Sequence, residues 1–164
     1  MAHRMGNGAR MLCEGAVIAA AYVGLTFVTP FSFGPVQLRV SEALTLLPAV
    51  SAAAAPGLFV GCALANLLGG CTIWDVAFGS LATLLAALLT RAFRRRLWLA
   101  CLPPVVLNGL IVGAVLSLTS GGALPLWATI GFVALGEAGA VFLLAPPVLR
   151  GVRRVLRGRG DAPR

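Results

Sequence analysis

At 164 residues, with 59% hydrophobic and 11% charged side chains, the chain is too apolar for a soluble fold and too short to add a soluble catalytic domain to a membrane-embedded one. Its net charge of +8 comes from thirteen arginines and no lysine, grouped beside apolar segments. That grouping argues against a nucleic-acid-binding stripe and for topology-setting charge.

A bilayer crossing takes about 20 apolar residues, and the apolar runs predict an all-α integral membrane protein with six transmembrane helices. The first span covers 11–29. A short basic region precedes AVIAAAYVGLTFV in the manner of a secretory signal, but no convincing cleavage site follows, so the segment is read as retained. Ala16, Ala20 and Gly24, spaced by four, form a stripe of small residues that admits a second helix closely. Pro30 and Pro35 bracket a loop over 31–38. Two short spans follow at 39–53 and 56–69, with a re-entrant pair as the alternative. Gly69 and Gly70 then mark a tight connection to a span at 73–91, and the last two spans, 103–119 and 126–146, are separated by Gly121 and Gly122. Pro56, Pro103 and Pro125 are expected in first helical turns, where a missing N–H costs nothing.

Six spans put the N-terminus, the 91–99 loop and the C-terminal tail on one side, together with every arginine except Arg39. Both termini are therefore expected in the cytoplasm, and the 31–38, 69–74 and 119–125 connections on the outer face. Residues 1–149 form the expected transmembrane substrate-binding domain and 150–164 a basic cytoplasmic tail. Beyond Pro146 and Pro147, Val148, Leu149, Val152, Val155 and Leu156 share a helical face opposite the arginines, suited to the anionic leaflet.

Ionisable and amide groups inside a membrane are costly and mark a site or an internal pair. Here they are Arg39, Glu42, Asn66, Asp75, Asn108 and Glu137. Most fall toward the outward half, beside Gln37 and Trp74, which predicts an outward-opening pocket for a small, polar, planar ligand. Plainer roles stay open for several. Arg39 and Glu42 can pair at i, i+3, Asp75 can complement a helix N-terminus, Asn66 and Asn108 can join helices, and Trp74 and Trp127 can be interfacial anchors. Glu137, mid-span with no cation nearby in sequence, needs a partner from another helix or from a ligand.

Four cysteines without a CxxC, and a single histidine at position 3, supply no zinc ligand set and no redox pair, so no metal or cofactor is expected. A membrane enzyme is disfavoured because no histidine lies in a span and no nucleophile–base set exists. A small scaffold subunit is disfavoured by the cost of so many outward polar groups. No GxxxxGK[ST] loop occurs, so ATP hydrolysis must belong to partners, or a gradient must supply the energy.

The stretches FSFGPVQLRVSEALTLLP, PGLFVGCALANLLGG, WDVAFGSLATLLAALLT and LPPVVLNGLIVG together resemble the QueT family of queuosine-precursor transporters, from about Leu12 to Leu149. Members are similar to the substrate-binding S-components of energy-coupling-factor (ECF) importers. The resemblance implies six helices that bind a micronutrient near the outer face of the bacterial plasma membrane. It also implies that small residues of the first helix, here Ala16 and Ala20, dock a transmembrane coupling protein driven by two ATPases. A 7-deazaguanine ligand would find complements in Gln37, Arg39, Glu42 and Glu137, with Trp74 to stack on the ring and Asp75 to meet an aminomethyl cation. A solitary secondary carrier, or an S-component for another vitamin-like molecule, is the alternative. One departure stands out: where members often carry an acidic residue after the helix 5 glycine, Gly113 is followed by Ala114, Val115 and Leu116.

Overall fold

A computed structural model describes residues 2–30, 32–33, 38–121 and 124–160. Among them there are helices and turns and no strands. Four helices are long and apolar enough to cross a membrane: α1 Ala2–Val28, with its apolar part at Gly6–Val28, α3 Asp75–Ala92, α4 Leu97–Thr119 and α5 Leu126–Leu156. A shorter apolar helix, α2, covers Ala54–Leu68.

Packing gives the direction of each element. A Cβ placed on Gly57 would lie 2.7 Å from the Gly15 carbonyl oxygen, and one on Gly61 would lie 2.9 Å from the Tyr22 Cβ. Residues 57 and 61 of α2 thus climb beside 15 and 22 of α1, so the two helices are parallel and in backbone contact. The link between them must run back down. Ser41 meets Thr26, Glu42 meets Tyr22, and the Ala53 carbonyl lies 3.4 Å from where Gly15 would carry a Cβ. The remaining helices reverse at each connection: Thr90 contacts Ala100 across the α3–α4 turn, and Gly113 and Gly109 of α4 abut Ile130 and Ala134 of α5. Gly70 and Gly121, at φ +71° and +67°, make the two turns that need a left-handed residue.

The returning link corrects the expected helix over 39–53. It consists of two 3-10 turns, Val40–Leu44 and Leu47–Ala49. Pro48 lacks the N–H that an α-helix would need there, and a 3-10 turn rises about 2.0 Å per residue against about 1.5 Å for α, so a short segment covers more depth. Irregular backbone is tolerated at membrane depth only when enclosed by protein, and residues 41–49 are all buried. Its carbonyls find side-chain donors: Thr45 Oγ1 donates to Glu42 O at 2.6 Å, and Arg91 Nη1 to Pro48 O at 3.2 Å.

The span expected to start at Pro103 begins instead at Leu97, leaving Pro103 and Pro104 inside α4. Pro104 cannot donate to the Ala100 carbonyl. Thr90 Oγ1 of α3 does so at 3.0 Å, which makes the break tolerable. The last helix likewise runs on past Pro146 and Pro147 to Gly160, so residues 149 and 150 lie within one continuous helix. On that helix Leu149 is buried, while Val155 and Leu156 remain exposed.

Close approach of α1 and α2 generates a stability prediction. Gly57→Ala should lower the thermal unfolding temperature in detergent, because its Cβ meets backbone that cannot step aside, at a cost of about 1–3 kcal/mol. Gly131→Ala, where nothing lies within 4 Å, should leave the temperature unchanged or raise it slightly through helix propensity.

Candidate functional site

One end of the bundle gathers the arginine-rich start of α1, the α3–α4 turn with Arg94, Arg95 and Arg96, and the end of α5. At the other end a cavity of about 290 Å³ opens among the connections after α1, α2 and α4. Phe33, Gly69, Gly70, Thr72, Thr119 and Ser120 surround its mouth, and Arg39, Glu42, Asn66, Asp75, Asn108 and Glu137 contribute its polar lining. Six of the eight expected ligand-binding residues are therefore brought together. Gln37 lies outside the described residues.

Local structure explains why such distant positions converge. α3 and α4 each contain a turn of π-helix, at Asp75–Gly79 and Asn108–Val112. A π turn carries an extra residue that shifts the facing of its neighbours, and Asp75, Gly79, Asn108 and Val112 all line the cavity. Gly79 leaves room for the Asn66 amide, whose nitrogen would sit 3.0 Å from a Cβ at that position. On α4, Gly113 is pressed against Ile130, and Asn108 and Thr119 are among its cavity-lining residues.

The polar groups hold one another in a fixed pattern. Glu42, 2% exposed, accepts a hydrogen bond from the Tyr22 hydroxyl. Arg39 Nε donates to the Ser32 carbonyl at 2.9 Å, and its guanidinium lies 5.6 Å from the centre of the Phe33 ring. Asn108 Nδ2 donates to Glu137 Oε1 at 2.6 Å, joining α4 to α5. Asn66 Nδ2 donates to the Asp75 carbonyl at 3.2 Å, joining α2 to α3. The Asp75 carboxylate accepts from Thr72 N and Oγ1 at 3.1 and 2.6 Å, capping the start of α3 at the rim.

What is left over is the informative part. Glu42 Oε2, Asn66 Oδ1, Asn108 Oδ1 and Glu137 Oε2 are buried and have no hydrogen-bond partner among the described residues. All four belong to cavity-lining side chains, and all four are acceptors. Unpaired polar atoms in a low-dielectric interior are expensive, so these four look for donors supplied from within the cavity.

Trp74 is not brought to the cavity. It is 58% exposed and stacks on Phe78 with ring centres 6.0 Å apart. Trp127 is also exposed, in keeping with the interfacial role of such rings. The aromatic ring at the cavity is Phe33, which covers Gly69 so closely that a Cβ there would lie 2.4 Å from it. Sequence reasoning missed Phe33 and Tyr22. The signal for Tyr22 was its being the one tyrosine of the chain, set in an alanine-rich span.

Apolar helices enclosing an acceptor-lined chamber that is open at one end define a membrane protein that handles a small molecule. The chain belongs to the QueT transporter family, whose profile matches residues 12–154. Searches of curated proteins and of solved structures returned no match. Family and helices together make it a multi-pass membrane transporter with a small-molecule substrate.

Tyr22→Phe should remove the donor from Glu42 while keeping the ring volume. The expected cost is about 1.5–3 kcal/mol, the range for a hydrogen bond to a charged group, read as a lower unfolding temperature without ligand.

Proposed function

We propose that this protein is the membrane-embedded S-component of an ECF-type importer that captures a queuosine precursor, a 7-deazaguanine, on the outer face of the bacterial plasma membrane. The observation that carries the reading is the set of four unpartnered buried acceptors around a cavity of about 290 Å³. A 7-deazaguanine offers ring N–H and amino donors to such acceptors and a carbonyl to the guanidinium of Arg39. Phe33 provides a face for its planar ring.

Orientation follows from charge. We read the alternating direction of the elements as six crossings, the second made by the 3-10 link, with both termini and the arginine clusters in the cytoplasm. The cavity then opens outward, and the helix end beyond Arg150 lies at the cytoplasmic surface as a basic tail. Ala16, Ala20 and Gly24 are exposed on α1, Ala16 at the edge of a groove shared with Pro56, Gly57 and Val60 of α2, and nothing lies within 4 Å of Gly24. This smooth strip suits close helix docking, which supports a transmembrane coupling protein as partner, with two ATPases supplying the energy.

Two measurements test the reading. Glu42→Gln should weaken binding of 7-deazaguanine ligands to detergent-purified protein by about 1–3 kcal/mol, with insertion unchanged. The double substitution Ala16→Leu and Ala20→Leu should retain ligand binding while abolishing cellular uptake and co-purification with the coupling complex. Normal uptake by the double variant would instead identify a solitary carrier.

A further inference from the structure

We propose that a groove between α4 and α5, at the arginine-rich end of the bundle, is a binding site for one anionic phospholipid. Leu97, Trp98 and Cys101 of α4 and Phe142 and Leu143 of α5 line a space of about 520 Å³, and Arg150 completes the lining. The groove shares no lining residue with the polar cavity, and the proposal stands apart from the reading of the transported molecule.

The groove has a local cause. α5 passes through a turn of π-helix at Ala140–Leu144 and then meets Pro146 and Pro147, which carry no N–H for the helical ladder and both line the groove. Such interruptions are where helices bend, and here the break falls on the groove wall. Cys101, 2% exposed, belongs to the apolar cluster that also holds Leu46 of the 3-10 link and Ala145 and Leu149 of α5. Whatever fills the groove therefore bears on the packing that encloses the link.

An apolar groove facing the bilayer takes acyl chains of any lipid. Charge makes this one selective. Arg150 is exposed, as are Arg94, Arg95 and Arg96 immediately before Leu97, and no carboxylate lines the groove. Of the five carboxylates in the chain, Glu42, Asp75 and Glu137 line the polar cavity, Glu14 borders a separate groove with Arg10, and Asp161 lies outside the described residues. A lipid phosphate supplies the missing counter-charge, since a guanidinium can hold two phosphate oxygens through parallel N–H bonds. Trp98, 78% exposed, lies against Phe142 with ring centres 5.9 Å apart, and indole rings gather at the headgroup level where arginine stems also reach out of the apolar layer. Basic pockets between helices hold anionic headgroups by this combination. A zwitterionic headgroup offers the same phosphate but brings its own cation, which the arginines repel.

Native mass spectrometry of the detergent-purified full chain, with added phosphatidylglycerol or phosphatidylcholine of the same acyl chains, tests this. The expected result is one phosphatidylglycerol bound at least about fivefold more tightly than phosphatidylcholine, with a larger rise in unfolding temperature. Arg150→Gln, at an exposed position, should weaken phosphatidylglycerol by about fivefold and leave phosphatidylcholine unchanged, while Arg150→Lys should keep most of the preference. Arg10→Gln removes the same charge at the separate groove and should leave the preference intact. Equal retention of the two lipids overturns the proposal, as does an equal loss in Arg10→Gln and Arg150→Gln, which would mean attraction by net charge alone. Displacement of the lipid by free glycerol phosphate at similar concentration would make the groove a site for soluble anions instead. A dimer that excess lipid does not dissociate but Arg150→Gln does would give the groove to a second copy of the chain and likewise overturn the proposal.

Discussion

In a bilayer every backbone polar group must find its partner within the protein, and the 3-10 link between α1 and α2 is where this protein meets that constraint most severely. The link carries Arg39 and Glu42 into the bundle on a backbone that lacks a continuous α-helical ladder. It survives because it is walled in. Gly57 and Gly61 let α2 come up to Gly15 and Tyr22 of α1, while Thr45 and Arg91 supply donors to its carbonyls. Enclosure of this segment therefore comes before any question of ligand.

The same enclosure shapes the chamber. A 3-10 link in place of a full helix leaves space beside α2 and α3, and the π turns at Asp75–Gly79 and Asn108–Val112 direct polar side chains into it. Most of the hydrogen-bonding capacity there is spent within the protein, on pairs that run between helices. These pairs orient the side chains in advance. Preorganised groups lose little freedom when a partner arrives.

α1 has two faces with different tasks. Tyr22 and Thr26 face inward and hold Glu42 and Ser41 of the link. Ala16, Ala20 and Gly24 are exposed among the described residues. One helix thus touches a cavity residue through a hydrogen bond and leaves a row of small residues exposed.

Much was determined by the sequence alone. Hydropathy set the helical, membrane-embedded class, because burial in lipid needs long apolar runs. Arg39, Glu42, Asn66, Asp75, Asn108 and Glu137 stood out because polar groups in such runs are costly, and the fold places all six around one cavity. Tertiary structure decided the rest. A 3.6-residue period cannot reveal that 39–53 becomes two 3-10 turns, since that depends on being enclosed, nor that Pro104 sits mid-helix, since its cost is met by Thr90 from another helix. Trp74 and Phe33 are both aromatic residues near an outer connection, and only packing told which one reaches the cavity. The unpaired state of the four acceptors is likewise a property of the assembled fold, because a side chain's partner can lie 29 positions away, as for Asn108 and Glu137, and spacing along the chain carries no record of it.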